Sequence, residues 1–186
     1  GWNTQKEAME QLEKMRETAI PATVMVLEAW SDEETFYVWN DASYTPRADG
    51  GAVHYDDFTF PPEGKWPDPK GFCRTLADEN VKLLLWQIPV IKYEAAPHGM
   101  QLDFDWEYAK RHGLCLKNAD GTPYQITEMW FGNSLIPDFT NPETKRWWLD
   151  CRRYLVEELG VAGFKTDGGE FLFDPDARFS DGRSVA

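Results

Sequence analysis

Apolar positions along the 186 residues change their period in a repeated order. From Thr4 to Thr18 they recur at helical spacing, with Ala8, Leu12 and Met15 on one face and Asn3 or Thr4 as cap, which predicts a helix. Thr23 to Glu28 then reads as a strand. Asp68 to Asn80 returns to helical spacing with Phe72, Leu76 and Ala77 inward. Val81 to Ile88 is a nearly continuous apolar run, as a parallel strand covered on both faces requires. Asn141-Pro142-Glu143 opens a further helix to Leu159, with Trp148, Cys151, Leu155 and Leu159 on one face. Gly160 stops it, and Val161 to Phe164 is again short and apolar. Two segments break the rhythm. Ser31 to Pro67 is rich in acids, aromatics and prolines and reads as a functional loop. Tyr93 to Ile136 carries a helix from Phe104 to His112 and a hairpin around Asn118-Ala119-Asp120-Gly121.

Helix, tight turn, strand and acid in that order form the repeating unit of an α/β barrel, whose working groups sit where strands give way to loops. Asp167, at the end of the run Gly163 to Glu170, stands at such a place; the competing reading is an Asp that caps a following helix. A full barrel takes eight strands and about 250 residues. Three strands and three complete helices therefore predict a partial (β/α)8 TIM barrel covering about strands 2–4, with a small insertion at about 93–136. Such a sheet needs the remaining barrel segments or self-association to cover its edges.

Composition narrows the chemistry. A net charge of −13 and a pI near 4.6 exclude the clustered Lys and Arg of a nucleic-acid surface. No apolar stretch has the roughly 20 residues of a membrane-spanning helix. Cys73, Cys115 and Cys151 lack paired spacing, and His54, His98 and His112 are isolated, so no metal site is implied. The chain also lacks a phosphate-cradling glycine loop, and no cofactor is expected. Nine Trp supply flat apolar faces that could stack on sugars, although large aromatic residues more often serve the core.

The run Gly163-Phe164-Lys165-Thr166-Asp167-Gly168-Gly169-Glu170 resembles the nucleophile segment of glycoside hydrolase family 31, with Gly168 in the variable place. Pro137-Asp138-Phe139-Thr140-Asn141-Pro142, followed by Trp147 and Trp148, resembles the segment that precedes it in that family. Phe60-Pro61, Trp66-Pro67-Asp68-Pro69 and Leu85-Trp86-Gln87-Ile88-Pro89-Val90-Ile91 resemble the family's approach to helix two and exit from strand three.

The resemblance implies a retaining exo-α-glycosidase of α-glucosidase or α-xylosidase type acting on an oligosaccharide or α-glycoside, with Asp167 as nucleophile. It also implies that Glu28, where the family usually presents Asp, binds the far hydroxyls of the terminal sugar, and that Trp30, Trp86 and Trp130 line its pocket. Lys165, two residues before Asp167 and on the same strand face, would favour the charge of Asp167 and contact a sugar hydroxyl. A lysine there resembles the α-xylosidase and sulfoquinovosidase side of the family. Glu170 would steady the turn. The acid/base is expected beyond Ala186, so the 186 residues alone should turn over little or no substrate. The alternatives are an α-galactosidase-like hydrolase, a transglycosylase and a non-catalytic carbohydrate-binding relative.

Overall fold

A computed structural model describes residues 2–93, 95, 100–127, 131–170 and 172–185, which divide into two compact units. Trp130 and His98 lie outside the described residues. The first unit comprises Gly1–Thr45, Val53–Gln87 and Arg152–Asp167. Its helix α1 (Gln5–Glu17) begins where Thr4 Oγ1 accepts from the Glu7 amide while the Glu7 carboxylate accepts from Asn3 N and Thr4 Oγ1, a reciprocal cap that satisfies the Glu7 amide of the first turn. Ala8 and Leu12, one helical turn apart, are its buried stripe. Helix α2 (Pro69–Asp78) starts on the Asp68 carboxylate, which accepts from Gly71 N, and buries Phe72, Cys73 and Leu76.

Strands β1 (Val24–Leu27), β2 (Lys82–Gln87) and β3 (Gly163–Thr166) form a parallel sheet in the order β1-β2-β3. Side-chain alternation gives the sheet two unlike faces. Met25, Leu27, Leu83, Leu85 and Gln87 are buried on one. Val24 and Val26, at 47% and 37% exposure, share the other with Leu84 and Trp86. Helical repeats followed by parallel strands without closure are what the chain's periodicity predicts for part of a barrel.

The last helix-to-strand repeat departs from the sequence reading in two places. The strand before Asp167 pairs over Gly163–Thr166 rather than from Val161, because Val161 N is taken by Leu155 O before the ladder begins. The helix expected from Pro142 to Leu159 is two helices, α4 (Pro142–Asp150) and α5 (Arg153–Glu157). The break falls at Cys151–Arg152, where the Arg152 backbone turns to φ −113° and ψ −12°.

Within the segment expected as a loop, Ser31 and the run Thr35 to Trp39 are buried. Ser31 bridges Trp39, and an aromatic chain runs Trp30–Trp39–Trp66–Phe72 with centroid separations of 4.9, 5.1 and 5.7 Å. These tryptophans are core, the role that large aromatic residues most often take.

The second unit comprises Pro46–Ala52, Ile88–Cys151 and Gly168–Ala186. It holds helix α3 (Gln101–His112), which starts three residues before the predicted Phe104 and ends on left-handed Gly113. The hairpin expected at 118–121 is present: Gly121 N donates to Asn118 O, and Lys117 bridges Pro123. Asp138 ties this unit internally, accepting from Thr140 N, Thr140 Oγ1 and Ser180 N. Burial raises its carboxyl, but these bonds outweigh burial and hold it below the usual range.

Candidate active site at the strand ends

Trp86 and Lys165 are direct register partners in neighbouring strands, and Glu28 is next in line after Leu27, which pairs with Leu85. Glu28, Trp86 and Lys165 thus form one row across the C-terminal ends of three strands. Asp167 stands two residues past Lys165 on the same face. The side chains meet there. Trp86 Nε1 donates to Asp167 Oδ2 at 3.0 Å, and Lys165 Nζ lies 3.6 Å from that same oxygen. Lys165 Nζ also donates to Glu28 Oε1 at 2.6 Å. That bond, reinforced by the nearby charges of Glu28 and Asp167, raises the lysine above its ordinary value and keeps it a cation. The group is an exposed acid–cation–acid arrangement beside an indole, suited to holding a carboxylate in one orientation and meeting hydroxyl groups.

Trp30 takes a different place from the one expected of it. It is wholly buried, at 0% exposure, and its indole N–H donates to the Trp86 carbonyl at 2.8 Å. It has no free face for a sugar ring and instead fixes the backbone that carries Trp86. Glu170 is exposed and belongs to the second unit.

Several residues around this row escaped the sequence reading. Phe36 meets the Trp86 ring edge-on at 5.4 Å. The Gln87 carbonyl accepts from Asp167 N at 2.9 Å, and its amide donates to Thr166 Oγ1 at 3.0 Å. Arg152 Nε donates to Gln87 Oε1 at 2.9 Å. A usable signal existed: Gln87 is the one polar residue inside the run Leu83 to Val90, and buried polar side chains are kept where they have partners.

The family model described as the glycosyl hydrolases family 31 TIM-barrel domain matches residues 1–183. The chain is 42% identical over 183 residues to an isomaltosyltransferase of Sporosarcina globispora, covering 98% of this chain and 17% of that protein. It is also 42% identical to a 1,3-alpha-isomaltosidase of Kribbella flavida, covering 98% of this chain and 25% of that one. Among solved structures, a cycloalternan-degrading enzyme from Trueperella pyogenes in complex with a covalent intermediate superposes with a TM-score of 0.93 at 43% identity, covering 98% of this chain and 25% of that one. The chain therefore spans about a quarter or less of the length of these relatives. The match favours this family over the α-galactosidase alternative. With the parallel sheet and the nucleophile-like segment at its end, it makes the chain a member of glycosyl hydrolase family 31 that carries part of the family's TIM-barrel domain.

Proposed function

We propose that this chain supplies the nucleophile of a retaining α-glycosidase that acts on isomaltosyl units. The observation that carries the reading is the carboxylate of Asp167, held at the end of β3 by the Trp86 indole N–H and flanked by the Lys165–Glu28 ion pair. An oxygen of Asp167 attacks the anomeric carbon as the bond to the leaving sugar oxygen breaks. A carboxylic acid elsewhere in the full-length protein protonates that oxygen. The same group then takes a proton from water, whose oxygen displaces the Asp167 carboxylate. The two carboxyl groups of such a pair stand about 5–5.5 Å apart.

Glu28 and the cation at Lys165 meet the far hydroxyls of the sugar in this reading. Trp86 provides an apolar wall, and Glu170 steadies the loop. Glu28 is one methylene longer than the Asp usual in the family, and a displacement of about 1 Å is enough to change which hydroxyls are reached. The two curated relatives at 42% identity bear names that refer to isomaltosyl groups, which favours that unit over the single glucose or xylose expected from the sequence.

One of the two is named a transferase, which supports a second reading in which an acceptor sugar replaces water at the same intermediate. The test is product analysis with the full-length enzyme on an α-1,3-linked isomaltosyl oligosaccharide, with and without added acceptor. Release of isomaltose is expected. Asp167→Asn should lower kcat by roughly 10⁴- to 10⁶-fold, as removing a nucleophile does. Release of glucose alone would overturn the isomaltosyl assignment, and a fully active Asp167→Asn would overturn the nucleophile.

A further inference from the structure

We propose that Arg152 is a positioning residue for Asp167, acting through the side chain of Gln87 and the end of β3; the inference rests on the nucleophile assignment above. Arg152 is buried at the start of α5, in the first unit. Its guanidinium donates through Nε to Gln87 Oε1 at 2.9 Å and through Nη2 to the Thr35 carbonyl at 3.1 Å, and it lies over the Tyr37 ring at 5.4 Å. With its oxygen occupied by Arg152, the Gln87 amide has its NH2 turned to Thr166 Oγ1, 3.0 Å away. This settles which end of the amide faces which partner. The Gln87 main chain meanwhile receives Asp167 N at 2.9 Å. Gln87 therefore holds the last two residues before the loop by two different bonds, one through its side chain and one through its carbonyl.

The second arm of Arg152 reaches the other support of the nucleophile. Thr35, whose carbonyl it holds, precedes Phe36, and Phe36 packs against Trp86, whose indole N–H grips Asp167. Phe36 has φ +58°, a left-handed conformation that a bulky residue holds only where its surroundings fix it. One rigid planar fork thus braces both the strand that carries the carboxylate and the loop that backs its hydrogen-bond donor. A lysine offers one mobile point charge in place of the fork and cannot hold both acceptors in fixed directions.

The experiment uses the full-length enzyme on whichever α-glycoside the wild type cleaves, with kcat, KM and the inhibition constant of isomaltose measured for each variant. Thr166→Val removes the acceptor of the Gln87 amide and leaves the buried Arg152–Gln87 pair intact. Gln87→Leu removes both links, whereas Gln87→Glu keeps an acceptor for Arg152 and for the Thr166 hydroxyl. Misplacement of a reacting group by about 1 Å costs on the order of 100-fold. The expectation is a kcat lower by about 10-fold for Thr166→Val and about 100-fold for Arg152→Lys and Gln87→Leu, with isomaltose inhibition unchanged within about threefold. Gln87→Glu should recover most of the loss. Wild-type kcat in Thr166→Val would overturn the inference. So would a loss that is matched by an equal weakening of isomaltose inhibition, since that would mark general damage to the site. Failure of the nucleophile reading is seen separately, as retained activity in Asp167→Asn.

Discussion

Asp32 shows how much of the candidate site depends on residues that never meet a substrate. Its carboxylate accepts from the backbone amides of Glu34, Thr35 and Phe36 and from Thr35 Oγ1, which fixes the turn that carries Phe36 to Trp86. Burial pushes the Asp32 carboxyl up to about 6 in spite of those bonds. An unfolded Asp titrates near 3.9. Between those two values the folded chain holds the proton more tightly than the unfolded chain, so stability falls as pH rises through that window, by on the order of 2–3 kcal/mol. Asp32→Asn keeps an oxygen for the backbone amides and removes the titration. The melting temperature of the variant, taken relative to wild type, should rise by a few degrees between about pH 4.5 and about pH 7.5. A difference that stays constant across that range would show that Asp32 is ionised throughout.

Elements were legible in the sequence to the extent that their cause is local. The cap at Thr4, the cap and proline at Asp68-Pro69 and the apolar run before Gln87 mark their helices and strand to within a few residues. The pattern ending in Asp167 likewise identified the strand end, and the family resemblance named Glu28, Trp86 and Lys165, the three residues that the strand register sets in one row. The division between α4 and α5 was not legible, because Arg152 answers to Gln87 and Thr35, separated from it by 65 and 117 residues. Trp30 could not be told from a sugar-facing aromatic residue for the same reason, since its partner is the carbonyl of Trp86, 56 residues away.

In the second unit, Gly50 has φ +64°, and an added Cβ would come within 2.2 Å of the Tyr108 ring, which itself stacks on His112 at 4.2 Å. Gly50→Ala should cost about 2–4 kcal/mol from backbone strain and overpacking together. Limited proteolysis should find residues 88–151 cleaved sooner than in wild type. An unchanged digestion pattern would mean that Tyr108 yields without cost.

For the molecule as a whole, the sheet has one face that is core and one that bears Val24, Val26, Trp86, Lys165 and Asp167 at its surface. In a barrel the second face looks inward, and its strand ends form the floor of the mouth where reacting groups gather. Family membership and the position of the carboxylate lead to the same central claim, that a sugar becomes bonded to Asp167. The most direct measurement treats the full-length enzyme with a 5-fluoro-α-glycosyl fluoride, whose glycosyl-enzyme ester breaks down slowly, and locates the adduct by peptide mass spectrometry. The label should fall on the peptide containing 163–170, at Asp167. A label on any other residue, or an unlabelled enzyme that consumes the reagent with inversion at the anomeric carbon, would contradict it.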